Sequence, residues 1–282
     1  MVAPGPDWPV PFLGTQAPNV ARIYDYLLGG KDNFEADRAA ADTLIRLIPD
    51  GLTACRENRR FVRRAVRYLA GRGIRQFIDI GPGLPTQGNV HEVALEAAPD
   101  ARVVYADYDP VVVAHARALL AKPNPGVAAI SGDLRHPGEI LRAPELGALI
   151  SLDQPFAVLA TAVLHFIGDE EDPYAITRTL TDAMPPDSYL VISHVTPDDV
   201  KPDVGRKARA VYANATAQAH PRTRDAITRF FDGLELAGPG VVSVSAWRPE
   251  PLTAQPDGRT LMYAGIARKP LPASRPSSSS PR

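Results

Sequence analysis

Three carboxylates stand in or at the ends of apolar, β-branched runs: Asp79 in "FIDIGPG", Asp107 in "RVVYADYDP" and Asp133 in "VAAISGDL". Asp79 precedes a Gly-x-Gly turn, Gly81-Pro82-Gly83, and a helical stretch follows. Glycine has no Cβ, so the backbone there can approach a ligand closely, and strand, turn and helix form a general cofactor cradle. A dinucleotide loop would carry a third glycine where "GPGLPT" has Thr86. It would also bring a pyrophosphate beside Asp79, where like charges in a closed site repel. An acid at that place suits a ligand with an ammonium group.

S-adenosyl-L-methionine is such a ligand: an α-amino acid, a sulfonium, a ribose and an adenine, with no phosphate. Asp107 is placed to accept from both ribose hydroxyls, and Asp133 from the adenine amino group. Each acid taken singly also reads as a helix or turn cap, and Asp109 reads as an N-cap. For proton transfer, His165 in "VLHFIGDEED" lies just past a strand, where a reacting methyl would be, and an ordinary imidazole is a base near neutrality. Packing beneath the cofactor is its alternative role, and His194 is a second candidate. Tyr24 and Tyr26 lie two apart on one helix, so one at most faces a site. A tyrosine over a sulfonium gains cation–π attraction and can orient an acceptor; core packing is the other reading. Lys31 and Asp32 in "GGKD" mark a helix stop, and reach the cofactor if the N-terminal segment folds over it.

The elements that must carry these residues alternate from residue 74 onward. Apolar runs at 77–80, 102–107, 127–133, 156–161 and 189–195 suit parallel strands covered on both faces. "VHEVALEAA", "PVVVAHARALLAK" and "PYAITRTLTDAM" are crossover helices, the last two opened by Asp109-Pro110 and Asp172-Pro173. The rhythm predicts a doubly wound α/β domain over 74–269, ending in an antiparallel pair at 241–247 and 260–268. Residues 17–73 predict a helical cap, in which "NVARIYDYLLGG" and "DNFEADRAAADTLIRLI" form a hairpin. Segment 197–233 predicts a mostly helical insertion after the fifth strand, where it can cover a ligand. Residues 1–16 are expected to be a flexible proline-rich N-terminus, and the serine-rich tail 270–282 carries too little apolar surface to pack and is expected to be disordered.

Composition narrows the function. The 282 residues include 31 basic and 32 acidic ones, a balance that gives no general attraction to nucleic acid. The arginine-rich "CRENRRFVRRAVRYLAGR" has Phe61, Val62, Ala65, Val66 and Leu69 at helical spacing, and so predicts an amphipathic helix with a solvated face. The single cysteine, Cys55, excludes an internal disulfide, and the six histidines lack metal-ligand spacing. No apolar run reaches the length of a membrane span, and the N-terminus lacks the pattern of a secretory signal. The expected location is cytoplasmic. Serine-hydrolase and P-loop motifs are missing.

"FIDIGPGLPT", "VVYADYDPVVVAHARALL", "SGDL" and "VLATAVLHFI" resemble the successive cofactor motifs of class I S-adenosylmethionine-dependent methyltransferases. "ARIYDYLLGGKDNFEADR", "ENRRFVRRAVRYLA" and "NVHEVA" are similar to an actinobacterial methyltransferase family of largely unassigned substrates. The resemblance covers residues 17–269 and implies a seven-stranded sheet with one antiparallel strand. It implies Asp79, Gly81 and Gly83 at the methionine end, Asp107 at the ribose, Asp133 and the Leu134 backbone at the adenine, and Ala162 beside the sulfonium. A glycine common in the class is replaced by Pro85. The function so implied is methyl transfer to an oxygen or nitrogen of a small-molecule acceptor, held between the hairpin and the insertion, with no nucleic-acid, membrane or metal partner. A protein acceptor, a catalytically silent cofactor-binding module and a nicotinamide oxidoreductase remain as alternatives, and the oligomeric state, a dimer included, stays open.

Overall fold

The computed structural model describes residues 14–85, 88–121, 124–249 and 261–271; the proline-rich start before 14, Thr86 and the serine-rich tail beyond 271 lie outside the described residues. In chain order the elements are α1 (Val20–Leu27), α2 (Glu35–Leu47), α3 (Gly51–Gly71), β1 (Gln76–Ile80), α4 (Val90–Ala97), β2 (Arg102–Asp107), α5 (Pro110–Ala116) and β3 (Val127–Ser131). They continue with α6 (Pro137–Arg142), α7 (Pro144–Leu149), β4 (Ala157–Thr161), α8 (Pro173–Asp182), β5 (Tyr189–Val195), α9 (Pro202–Tyr212), α10 (Arg224–Thr228), β6 (Glu235–Leu236), β7 (Val242–Ser243) and β8 (Met262–Arg268).

The sheet runs β3-β2-β1-β4-β5-β8-β6, with β7 also on β8. Strands β1 to β5 are mutually parallel, and β8 is antiparallel to β5. The architecture is the doubly wound α/β sheet read from the sequence, with eight strands in place of seven. The extra strand arises because the edge beside β8 is broken. β6 pairs with Ala267 and Arg268, β7 with Tyr263 and Ala264, and between them lies Pro239, which has no N–H for a ladder. Of the run 241–247 only Val242–Ser243 is paired. A turn follows, and Trp247 enters the core, its ring edge-on to Phe61 and Tyr68 at 5.5 Å from each. β6, two exposed residues, offers no periodicity from which it could be read.

Every residue of β1 is buried, as a central parallel strand requires. Phe77 joins the core under α3 and α4, whereas Ile78 and Ile80 join the opposite core with α6, α7 and α8. Side chains alternate along a strand, so Asp79 shares the face of Phe77 and points to the α3 side. Each fully buried Ile, Leu, Val or Phe in these cores contributes roughly 1.5–3 kcal/mol. The strand order reverses between β1 and β4, which opens a crevice at their carboxyl ends.

The hairpin α1–α2 is welded by one ion pair. Arg22 Nε donates to Asp37 Oδ2 at 2.7 Å, and Asp37 also accepts from the backbone N–H groups of Asn19 and Phe34, each at 2.8 Å. Asn19 caps α1, and its amide donates to Asp109 Oδ2 at 2.7 Å, which ties the hairpin to the end of β2. Asp25 clamps the "GGKDN" turn by accepting from Asp32 N and the Asn33 amide, and a Cβ at Gly30 would overlap its carboxylate. α9 packs against α2, and Tyr212 and Val211 extend the hairpin's small apolar cluster of Ile23, Leu27, Ala40 and Ala41. The insertion is less helical than its composition predicts. Residues 213–223 form a strap held by Thr216 N to Pro18 O, His220 N to His165 O and Arg222 N to Val195 O.

Candidate active site

The crevice at the switch point is a cavity lined by all seven residues expected at a cofactor: Asp79, Gly81, Gly83, Asp107, Asp133, Leu134 and Ala162. His165 and Tyr24 line it as well, whereas Lys31 and Asp32 do not. Gly81 and Gly83 both have φ +68°, a left-handed backbone that glycine adopts without strain. A Cβ at Gly81 would also overlap Val163, whereas one at Gly83 would meet only open space.

The acids differ in what they already hold. Asp79 is 5% exposed and receives no hydrogen bond among the described residues. Burial pushes its carboxyl up to about 7, against the Arg59 guanidinium, which lowers it, and with Asp107, which raises it. Asp107 is pushed up to about 6 by burial, against backbone hydrogen bonds that include Asp109 N at 2.9 Å. Asp133 accepts from Arg135 N at 2.9 Å and pairs with the Arg135 guanidinium, which also reaches Glu171. A carboxylate has about four lone-pair sites, so Asp133 retains acceptor capacity.

Among the residues of the cavity not read from the sequence, two have polar atoms buried without a partner. Arg59 and Asn58 of α3 line it, and Arg59 Nε and Asn58 Oδ1 are buried without a partner. The arginines of α3 are thus not one solvated face: Arg64 also donates inward, to the carbonyls of Trp247 and Val244. A signal did exist. Asn58 lies four residues before Val62 and seven before Ala65, on the buried stripe, where an amide needs a reason.

Neither expected proton carrier is a ready base. Burial, then the charges of His194, Arg222 and His220, push His165 well below the ordinary imidazole value, and no hydrogen bond reaches its ring among the described residues. His194, the second candidate, is occupied. Its Nδ1–H donates to Val195 O at 2.7 Å, its Nε2 accepts from Arg222 Nη1 at 3.1 Å, and burial lowers it to about 3. Arg222 in turn holds the loop after β4 through Leu164 O, Ile167 O and Asp169. The Tyr24 hydroxyl donates to Cys55 O and accepts from the Asn58 amide, and burial holds it well above the ordinary phenol value. Tyr26 turns away to Asp42. Ala162 stands at φ 54°, its N–H held by Ser193, in a region that costs a non-glycine residue about 1–3 kcal/mol.

A second cavity, of about 510 Å³, adjoins the first, between α1–α3 and the segment 195–221. Leu27, Cys55, His165, Phe166, Tyr212 and Met262 form walls common to both. Burial pushes the Cys55 thiol up to about 12, so it remains un-ionised.

Residues 7–270 match the family model described as S-adenosyl methyltransferase. The chain belongs to that family. S-adenosyl-L-methionine is therefore its cofactor, and the S-adenosyl methyltransferase cavity fits it. A buried acid without a hydrogen bond, an orphaned guanidinium nitrogen and a glycine turn opening onto free space line this one cavity, and their chemistry complements the ammonium and carboxylate of an amino acid. A solved structure from Thermobifida fusca YX, provisionally described as a methyltransferase, is similar at 42% identity and a TM-score of 0.86, covering 94% of this chain and 100% of that one. A duf574 family protein from Streptomyces avermitilis MA-4680 is 42% identical with a TM-score of 0.85, over 91% of this chain and 99% of that one. The plantazolicin methyltransferase BpumL, solved with a triazolic desmethylPZN analogue and S-adenosylhomocysteine, shares the fold at 11% identity and a TM-score of 0.50, over 89% and 96% of the two chains. No curated protein matches the chain. No helix among the described residues is long and apolar enough to cross a membrane.

Proposed function

We propose that this family member transfers a methyl group from S-adenosyl-L-methionine to an oxygen or nitrogen of a small-molecule acceptor in the cytoplasm. The observation that supports it is the placement, in one cavity, of the buried Asp79 carboxylate near the half-buried Arg59 guanidinium, the acid without a hydrogen bond among the described residues and Arg59 Nε without a partner. That pair complements an amino-acid zwitterion: Asp79 takes the ammonium and Arg59 the carboxylate. Gly81 and Gly83 let the backbone approach, Asp107 accepts from the ribose hydroxyls, Asp133 and the Leu134 N–H serve the adenine, and Ala162 lines the sulfonium.

When bound, the cofactor supplies an electrophilic methyl on sulfur, which leaves as a neutral thioether while the acceptor sheds its proton to water. The chain contributes alignment and exclusion of water, which suffice for much of the acceleration of an in-line displacement. The walls shared by the two cavities meet where the methyl would point. There, neutral His165 accepts a hydrogen bond from the acceptor and turns its lone pair toward the methyl, a positioning task that its low basicity permits. Tyr24, its hydroxyl already engaged, acts as wall and cation–π surface. The hairpin and the insertion cap the acceptor.

Calorimetric titration with S-adenosylmethionine, S-adenosylhomocysteine and NADH tests the reading. Saturable binding of the two sulfur compounds with NADH silent supports it; binding of NADH alone overturns it in favour of an oxidoreductase. Formation of S-adenosylhomocysteine in an acceptor screen then separates an enzyme from a silent binding module.

A further inference from the structure

The second cavity has a chemistry of its own. Its walls are aliphatic and aromatic, among them Leu44, Ile48, Leu52, Val200 and Leu261, and among the described residues no acid lines it. Two cations do: Arg206 and Arg209 of α9, both exposed, with no ion pair or hydrogen bond among the described residues. α9 also supplies Tyr212 to the wall shared with the cofactor cavity. At about 1.5 Å rise per residue, Arg209 lies roughly 4.5 Å and Arg206 roughly 9 Å along the helix from that wall. An unpaired buried charge is costly, so apolar walls of this kind admit only an apolar body, and among the described residues the fixed charges at its far end are positive.

We infer that the second cavity holds the methyl acceptor and selects an apolar molecule with one anionic group, seated on Arg206 and Arg209, remote from the atom that receives the methyl. This rests on the methyl-transfer reading above and adds the class of acceptor. Cationic molecules are disfavoured, because no described residue of the lining balances their charge. The cavity volume of about 510 Å³ lies in the range of pockets for drug-sized ligands.

Two fluorescent compounds that differ by one charge test it: 8-anilinonaphthalene-1-sulfonate and its uncharged counterpart N-phenyl-1-naphthylamine. Both are titrated into the full chain saturated with S-adenosylhomocysteine. The sulfonate is expected to bind at least tenfold more tightly. The surface variant R206Q/R209Q should remove that advantage and leave the uncharged compound within twofold. A208W, which fills the cavity from α9 without lining the cofactor cavity, should weaken both at least tenfold. Equal affinities in the parent, or a sulfonate advantage that survives R206Q/R209Q, overturn the anion site; binding indifferent to A208W in a protein that still binds S-adenosylhomocysteine overturns the cavity. Calorimetry of S-adenosylhomocysteine on the same proteins, expected within twofold throughout, reads the cofactor assignment separately. Its failure beside intact fluorophore behaviour sinks the cofactor reading and leaves the cavity standing.

Discussion

Two of the described aspartates, Asp37 and Asp79, are buried near an arginine, and the two neighbourhoods are finished differently. In the hairpin, Asp37 is fully buried and accepts from Arg22 Nε, Asn19 N and Phe34 N, while Arg22 also reaches the carbonyls of Gly14 and Ala17. In the cavity, Asp79 is nearly as inaccessible but holds no hydrogen bond among the described residues, and Arg59, whose Nη2 reaches Gly88 O, has no partner at Nε. Burial of charge is costly, and a fold recovers the cost only when every lone pair and proton is matched. The matched pair therefore reads as architecture. The unmatched pair reads as a place kept for the charges of a ligand.

The contrast is broken most severely at Asp37. Asp37→Ala leaves Arg22 buried without its counter-ion and should lower stability by about 3–5 kcal/mol, read as a fall in chemical-denaturation midpoint. Asp79→Asn should do the opposite. It removes a carboxylate that folding leaves unmatched, so the ligand-free protein should melt no lower than the parent above pH 7. Its cofactor affinity should drop by about 10–100-fold, the loss of one charge-assisted bond worth roughly 1.5–3 kcal/mol. A variant that loses stability but keeps affinity would move Asp79 from the ligand site to the architecture.

The same acid gives the comparison a pH dependence. A carboxyl raised to about 7 in the fold, against an ordinary value of about 3.9, holds a proton that the unfolded chain releases between those limits. Its contribution to the stability of the ligand-free protein is present below about pH 4 and is lost as pH rises toward 7; Asp107, raised to about 6, acts in the same direction. Cofactor affinity should run the other way, because the ammonium needs the ionised acid. It should rise through pH 7 and level off above. Arg59→Met removes the charge that holds Asp79 down, so the midpoint of that rise should move to higher pH while affinity falls. An unmoved midpoint would separate Arg59 from Asp79.

Much of this was legible in the chain, for reasons that also explain the gaps. "FIDIGPG" and "VVYADYDP" are local: the period of two, the glycine turn and the Asp-Pro cap each act within a few residues, so the strands, the helix starts and the acids could be placed. Arg59 could not. Its neighbours predict a helix with a wet face, and only the docking of α3 against the sheet, on β4, β5 and β8, brings that arginine near Asp79. The state of the histidines was equally non-local. His194 is fixed by Arg222, from the strap 213–223, and that strap in turn covers His165 through His220. The broken edge depends on where Pro239 meets β8.

The smallest expected effect concerns backbone and not charge. Helix α1 ends in Gly29 at φ 82°, where glycine takes the left-handed turn freely, whereas the loop after β4 puts Ala162 at φ 54° in the cavity wall. Two bonds from Ala162 N to Ser193 hold it there. Alanine in that region is strained and glycine is not, but glycine also frees the unfolded chain, so the two effects partly cancel. Ala162→Gly should therefore raise stability by no more than about 1 kcal/mol, a small upward shift in the thermal midpoint. If instead it destabilises, the methyl group of Ala162 is packing against the cavity wall, and its contact outweighs the strain.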